Sequence, residues 1–225
     1  MQQGFGQFCP LALASEVLTQ RWMLLILREL GAGSARFNDI RRGVPRISAS
    51  LLKERLDSLQ AAGIVEQSGS GQDRRYRLTE AGHELKPILS GIGAWGQRWA
   101  RDIRPDDLDP GWLVWNIHRR LNLDAMPEGP LVIEFRFVDA RPGQRRFWLL
   151  RRRREVEVCL KPPGRDSDLV VETGVQTLAE IWRGLRPIAE EIAAGRLRLD
   201  GPTNLRRTFP GWLLLSVYAP IERRR

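Results

Sequence analysis

The stretch from residue 37 to residue 78 constrains the fold most, because it places several helix and turn signals in a fixed order. A short segment around Ile40 stops at Gly43-Val44-Pro45, since the residue before a proline is pushed toward extended geometry. Ser48 can begin a second helix, because its hydroxyl accepts a hydrogen bond from a free N–H of the first turn. Gly63 fits the left-handed position just after that helix. Two helices separated by a tight turn are therefore expected.

A β-hairpin is expected directly after the second helix. Residues 64–67 and 76–78 read as short strands, and the polar segment 68–73 between them contains two glycines. Short apolar segments on either side of such a turn are typical of a hairpin. Thr79 then begins a long helix that runs to about Arg101. Helix, turn, helix and two-stranded wing, in that order, predict a winged helix-turn-helix domain that reads double-stranded DNA.

The outward side chains of the second helix are the predicted DNA contacts. Arginine and lysine pair with guanine edges or phosphates, and serine reaches either. The alternative is that these side chains form an ordinary solvated face. The predicted contacts are Arg46, Ser48, Ser50, Lys53 and Arg55 around this helix, with Arg74 and Arg75 in the wing.

The overall charge agrees with DNA binding but does not decide it. The chain has 225 residues, a net charge of +9 and a pI of about 10.8. A basic surface favours polyanions. However, 33 of the 36 basic residues are arginine, and the coding bias of a GC-rich genome produces the same skew.

The long helix after the wing carries an apolar stripe that needs a cover. Its apolar residues recur at helical spacing, and either the same domain or a second subunit buries them. The predicted dimerisation residues are Ile88, Ile92, Trp95 and Trp99. Nearer the N-terminus, Leu13 and Leu25 are expected to face the core.

An acidic, proline-bearing stretch at 102–110 predicts a linker between two domains, 1–101 and 111–225. The second domain is expected to be α+β. Its strands are predicted at 131–138, 146–150, 155–160, 169–173 and 197–199, with helices before, between and after them. The strand at 131–138 alternates, which predicts Glu134 and Arg136 on an outer face.

Several segments of the N-terminal half match the pattern of one known family. They are Cys9-Pro10, Arg21-Trp22, 24–30, 36–42, Ile47-Ser48, 51–56, 62–66 and 76–82. In these segments the N-terminal half resembles the HxlR family of bacterial transcription regulators, a winged-helix group. The resemblance implies a homodimer joined through the first and last helices of this domain. It also implies that Cys9, at the start of the first helix, occupies a position that some members use to sense oxidants. A helix N-terminus favours thiolate formation, although a cysteine packed as a small apolar residue is the alternative.

The second half resembles the sterol carrier protein 2 fold over residues 112–210, in the order of its elements and in segments such as 177–182 and 192–201. That resemblance implies an apolar tunnel and a hydrophobic small-molecule effector. The alternatives are that the aromatic residues only fill a core, or that a collapsed domain serves dimerisation. The candidate tunnel residues are Trp112, Trp115, Phe135, Phe137, Trp148 and Trp182.

An enzyme is not expected, because the chain has two histidines and no motif for a metal, a phosphate loop or a nucleophile elbow. No cofactor and no metal site are predicted. No segment approaches the ~20 apolar residues of a membrane span. Two cysteines far apart in the sequence fit a reducing cytoplasm. Together with the resemblance of the N-terminal half, the order of elements predicts a cytoplasmic bacterial regulator, bound to the nucleoid when on DNA, which forms a homodimer on a palindromic operator. The rival is a lipid carrier whose first half serves association.

Overall fold

A computed structural model describes residues 4–224 of the chain, so residues 1–3 and 225 of the predicted domains lie outside the description. The chain forms two compact units, which divide between Gly93 and Ala94. This division falls inside a helix, eight residues before the end of the predicted first domain at 101. The last turns of that helix belong to the second unit because their side chains and carbonyls bond to residues of that unit, such as Arg183 and Arg223.

The first unit follows the predicted order of elements. Four helices precede a hairpin, and a long helix follows it. The helices are α1 (Pro10–Leu18), α2 (Met23–Gly31), α3 (Phe37–Gly43), α4 (Ala49–Ala61) and α5 (Glu80–Trp99). The hairpin pairs β1 (Val65–Ser68) antiparallel with β2 (Arg75–Leu78), and a short 3-10 turn, Gly71–Asp73, joins them.

Helical spacing accounts for the core of the first unit. On α4, Leu52, Leu56 and Leu59 are fully buried, which matches one face of a 3.6-residue period. The same core contains residues from α2 and from both hairpin strands. Two expectations were wrong: Leu13 and Leu25 are exposed. On α2 the buried apolar positions are Met23, Ile26, Leu27 and Leu30, of which Ile26 and Leu30 match the predicted helical spacing.

A buried carboxylate fastens α2 to the end of α3. Glu29 is fully buried, and Arg28 donates to it at 2.9 Å while also donating to the carbonyl of Gly43 at 2.8 Å. Ser34 donates its hydroxyl to the same carboxylate at 3.5 Å. A Cβ on Gly43 would lie 1.9 Å from Glu29 Cδ. Only glycine therefore leaves room for this ion pair at the point where α3 ends.

The second unit is an α+β fold around one five-stranded sheet. Its strands are β3 (Leu131–Phe137), β4 (Arg146–Arg152), β5 (Glu155–Cys159), β6 (Leu169–Thr173) and β7 (Leu197–Asp200). The sheet order is β5-β4-β3-β6-β7, in which β3 and β6 are parallel and the other pairs are antiparallel. The helices are α6 (Pro110–His118), α7 (Val175–Trp182), α8 (Ile188–Ala193) and α9 (Thr203–Thr208), with 3-10 turns at Pro105–Asp107 and Phe209–Trp212.

The two faces of the sheet bury different clusters. Ile133, Phe135 and Phe137 of β3 belong to the main core, together with residues of α6, α7 and the 3-10 turn Phe209–Trp212. The opposite face buries a smaller cluster of Val132, Trp148 and Leu150. The central strand is therefore buried on both sides, so the predicted half-buried alternation was wrong for Glu134.

Glu134 is buried on the second face of the sheet, not exposed as expected. Arg136 donates to its carboxylate at 2.7 and 2.9 Å, and Ser167 donates at 3.1 Å. Burial alone would raise the pKa of Glu134, but these hydrogen bonds outweigh burial and hold the pKa below its ordinary value. The strand thus buries a charge because its partners are close by.

Among the residues that the structure describes, no helix has the length and apolar character that crossing a membrane requires.

We expect Gly43→Ala to destabilise the first unit by about 2 kcal/mol, since overpacking of a filled site costs about 1–3 kcal/mol. Chemical denaturation followed by circular dichroism would measure this. Gly31→Ala is the matched control, because a Cβ there would meet Lys86 Cγ at an ordinary 3.7 Å. Equal stability of the two variants would contradict the role given to Glu29.

Candidate nucleic-acid interface

The turn between α3 and α4 is anchored from inside the protein. Val44 and Ile47 are buried. Backbone hydrogen bonds connect Val44 N to Arg41 O and Ile47 N to Val44 O, both at 3.1 Å. Ser48 caps α4, since its hydroxyl accepts from Leu51 N at 3.2 Å. The predicted cap is confirmed, and the direction of α4 is fixed by buried residues on either side of its start.

Three of the predicted DNA contacts lie together on the exposed start of α4. Ser48 and Ser50 are exposed, and their hydroxyls are 3.2 Å apart. Lys53 is exposed one turn further and pairs with Asp57 at 2.5 Å. An exposed ion pair of this kind contributes little to stability, so Lys53 is available to another anion. Arg46, in the preceding turn, is also exposed.

Arg55 differs from the expectation of an outward-facing side chain. Its side chain is only 15% exposed. The guanidinium donates to the carbonyl of Arg21 at 3.2 Å and to Glu54 at 2.7 Å. These contacts connect α4 to the start of α2. A role for Arg55 in DNA binding stays a prediction, and it would require the side chain to leave these partners.

The arginines of the wing differ in their exposure to solvent. Arg74 and Arg75 are half-buried, whereas Arg77 is exposed and lies opposite Glu66 in the hairpin register. Gly69 has a φ of +71°, and a Cβ there would lie 2.6 Å from the carbonyl of Asp73. The wing tip is thus a tight turn. Arg77 alternates with the buried residues Tyr76 and Leu78, which places its side chain on the exposed face of the hairpin.

The predicted dimerisation stripe is exposed in the single chain. Ile88, Ile92, Trp95 and Trp99 of α5 are 54%, 47%, 62% and 40% exposed. Helix α1 also exposes Leu11 and Leu13, and it contains no buried residue. Runs of large exposed apolar side chains mark interaction sites in proteins. The alternative in which the same domain covers the stripe does not hold for these side chains.

The two cysteines lie in different surroundings. Cys9 is exposed and occupies the N-cap position of α1. Cys159 is half-buried and packs against the Val132, Trp148 and Leu150 cluster. The exposure of Cys9 does not by itself test the predicted redox role, which stays a prediction.

The six predicted tunnel residues do not line one cavity. Phe135 and Phe137 are fully buried in the main core and fill it. Trp115 packs against the His118 ring with centroids 4.4 Å apart. Trp148 was wrongly grouped with the others, because the strand period of two places it on the opposite face of the sheet from Phe147 and Leu149.

Trp112 and Trp182 do line a common cleft in the second unit. Its volume is about 470 Å³, within the range of small-molecule sites. Residues of α6 and α7 form its apolar walls. The end of α5 with the following segment, and Ser216 and Tyr218 near the C-terminus, form the rest. Two polar residues of this cleft, Gln97 and Arg183, were not predicted, because they are 86 positions apart in the chain and only the fold brings them together.

The capped helix, the anchored turn and the two-stranded wing define the first unit as a winged helix-turn-helix domain. Residues 17–104 match the model of the HxlR-like helix-turn-helix family. The uncharacterized HTH-type transcriptional regulator YvaP of Bacillus subtilis is 36% identical over 108 residues, which are 46% of this chain and 97% of that protein. The chain belongs to the HxlR-like helix-turn-helix family, and over its N-terminal hundred residues or so it is a transcriptional regulator of this class.

Two further proteins show the same similarity. The HTH-type regulator MT3179 of Mycobacterium tuberculosis is 36% identical over 88 residues, covering 38% of this chain and 56% of that protein. The structure of the reduced form of YodB from B. subtilis is 31% identical, with coverages of 42% and 97% and a TM-score of 0.36.

We expect Ser48→Asp to preserve folding and to weaken DNA binding at least tenfold. Aspartate caps helices as well as serine does, but its carboxylate would face the phosphates. Thermal unfolding and fluorescence anisotropy with labelled duplex would measure the two effects. Ser90→Asp adds the same charge to an exposed position of α5 and serves as the control. Unchanged DNA affinity for Ser48→Asp would remove the start of α4 from the interface.

Proposed function

We propose that the protein is a dimeric DNA-binding regulator that recognises a palindromic operator and responds to a hydrophobic small molecule. The observation that carries this proposal is the start of α4. It is exposed, capped, and held by buried residues of the preceding turn. Family membership supports the same reading.

In the proposed complex α4 enters the major groove with its N-terminal turns. Ser48, Ser50 and Lys53 are exposed and placed to reach DNA, where a phosphate would replace Asp57 as the partner of Lys53. Arg46 in the preceding turn is placed for a phosphate. Arg74 and Arg75, with Arg77 beside them, lie along the adjacent backbone or minor groove. Phosphate contacts position the protein, and base contacts specify the sequence.

The exposed stripe on α5 supports the homodimer. Large apolar side chains at four helically spaced positions cost free energy in water, at about 25 cal/mol for each Å² left exposed. A second copy of the same helix would cover them with a self-complementary surface. Two α4 helices related by a two-fold axis would then read half-sites separated by roughly 34–36 Å, one turn of DNA.

The order of strands and helices in the second unit supports its proposed relation to the sterol carrier protein 2 fold. The proposed ligand site is the cleft that Trp112 and Trp182 line. A ligand there alters operator affinity in the proposed mechanism by changing the spacing of the two DNA-reading domains. A cytoplasmic location in a bacterium is part of the same proposal.

The direct test is to select duplexes from sheared genomic DNA and then to measure the affinity for the selected operator at several salt concentrations. We expect log affinity to fall linearly with log salt concentration, at about −0.9 for each phosphate contact. Lys53→Ala should reduce the magnitude of this slope by about one, if Lys53 binds a phosphate. Lys86→Ala, an exposed lysine on α5, should leave it unchanged.

A lipid carrier is the contrasting outcome of this experiment. It would select no duplex sequence, and neither lysine substitution would change its residual DNA binding. That result would overturn the regulator proposal.

The dimer is tested by Ile92→Asp. Burying an unpaired carboxylate costs several kcal/mol, and each 1.4 kcal/mol is tenfold in affinity, so the dissociation constant of the dimer should rise at least 100-fold. Sedimentation velocity over a concentration series would measure it. Val217→Asp replaces an apolar residue of similar exposure in the second unit and should have no effect. An unchanged dimer in Ile92→Asp would place the interface elsewhere.

A further inference from the structure

The cleft in the second unit has flat apolar walls. Leu113, Val175 and Ala179 line it together with Trp112 and Trp182, and Tyr218 closes one side. Its volume of about 470 Å³ exceeds what a single aromatic ring would occupy. Small-molecule sites of this size are mostly apolar with a few polar groups that fix orientation. The polar groups therefore decide which ligand the cleft can accept.

Arg183 is the polar group at the base of α7. It occupies the C-cap position, half-buried, and lines the cleft. Its Nε and Nη2 both donate to the side-chain oxygen of Gln97, at 3.2 and 2.7 Å. Burial lowers the pKa of Arg183, the positive charge of Arg223 adds to the effect, and the negative charge of Asp102 opposes it. The guanidinium nevertheless stays protonated, since arginine keeps its charge in proteins.

The carboxylates around the cleft already have partners of their own. Arg101 donates to both oxygens of Asp107 at 2.5 and 2.8 Å, and this hydrogen bonding holds the pKa of Asp107 well below its usual range. Asp102 accepts from Arg223 at 2.7 Å. Asp109 caps α6 by accepting from Trp112 N at 2.8 Å.

Arg183 therefore differs from the charged residues around it in the kind of hydrogen-bond partner that it has. Each of the three aspartates bonds to a cation or a helix N–H, whereas the acceptor that holds Arg183 is the neutral amide of Gln97. A charged acceptor forms a hydrogen bond roughly twice as strong as a neutral one. An incoming carboxylate would thus be a better partner for this guanidinium than Gln97 is.

We propose that this cleft binds a compact aromatic monocarboxylate, with the carboxylate on Arg183 and the aromatic body between Trp112 and Trp182. This proposal rests on the proposed function, because it names the effector class and the site of that response. Organic cations are disfavoured, since the guanidinium of Arg183 would be left beside a second positive charge.

Binding of the carboxylate would also change the contacts of α5. Gln97 is buried on that helix, between Trp95 and Trp99 of the exposed stripe. A carboxylate that takes the Arg183 donors releases Gln97. Arg223 still holds the carbonyls of Gln97 and Ala100 at 3.2 and 2.9 Å. The side chain that senses the ligand is therefore on the same helix as the proposed dimer contacts.

The test is isothermal titration of the full-length protein with biphenyl-4-carboxylate. The uncharged biphenyl-4-carboxamide and the cationic biphenyl-4-ylmethylammonium are matched probes. We expect the carboxylate to bind at least tenfold more tightly than either probe. Arg183→Gln should abolish this preference, and Arg183→Lys should retain part of it. Arg198→Gln, an exposed arginine of β7, should leave the preference unchanged.

A second variant tests the cleft without changing Arg183, in case the Arg183 variants do not fold. Ala179→Leu keeps the cleft apolar and reduces its volume, so it should weaken all three probes alike while thermal stability is maintained. Tighter binding of the cation, equal binding of all three probes, or an unchanged preference in Arg183→Gln would overturn the proposal.

Measuring operator affinity with and without biphenyl-4-carboxylate distinguishes failure of the proposed carboxylate site from failure of the proposed DNA-binding function. Operator binding without any probe binding removes the carboxylate site and leaves the DNA-reading proposal intact. Probe binding at Arg183 that does not change operator affinity keeps the site and removes the ligand response.

Discussion

The buried pair of Arg28 and Glu29 is the interaction on which the DNA-reading part of the structure depends. Burying a carboxylate away from water costs free energy unless charged or hydrogen-bonding groups compensate for the lost water. Arg28 and Ser34 are those groups for Glu29. Arg28 also bonds the carbonyl of Gly43, where α3 ends. The start of the turn is thus fixed by an interaction inside the protein. The next helix begins six residues later, at Ala49, so the position of its exposed face depends on this interaction.

The second unit also buries a charged side chain, in this case on its sheet. The central strand β3 is buried on both faces, which leaves Glu134 inside with the guanidinium of Arg136. The main core lies on one of the two faces, where α6 and α7 pack against the sheet. Ligand-sized space is found beside that core, where α6 and α7 meet the end of α5. The structure therefore offers a cleft at an edge of the fold, while the aromatic residues at its centre are packed.

Sequence reasoning predicted the elements well and the side-chain environments less well. Helix breaks at Pro45, the cap at Ser48 and the left-handed Gly63 are local, so the elements of the first unit were placed to within about two residues. Trp148 and Arg55 were misplaced for a different reason. For Trp148, alternation along a strand does not show which face of the sheet the helices cover. For Arg55, a polar position on a helix does not show that a carbonyl such as that of Arg21 lies within hydrogen-bonding distance.

The sequence by itself determined where helices begin and end, and the order of a helix-turn-helix with a wing. These properties follow from dihedral preferences, caps and apolar periods that act over a few residues. The tertiary structure decided which side chains are buried, which arginines are already bonded, and that Gln97 meets Arg183. Burial and hydrogen bonding depend on neighbours brought together from distant positions, and a local pattern carries no information about them.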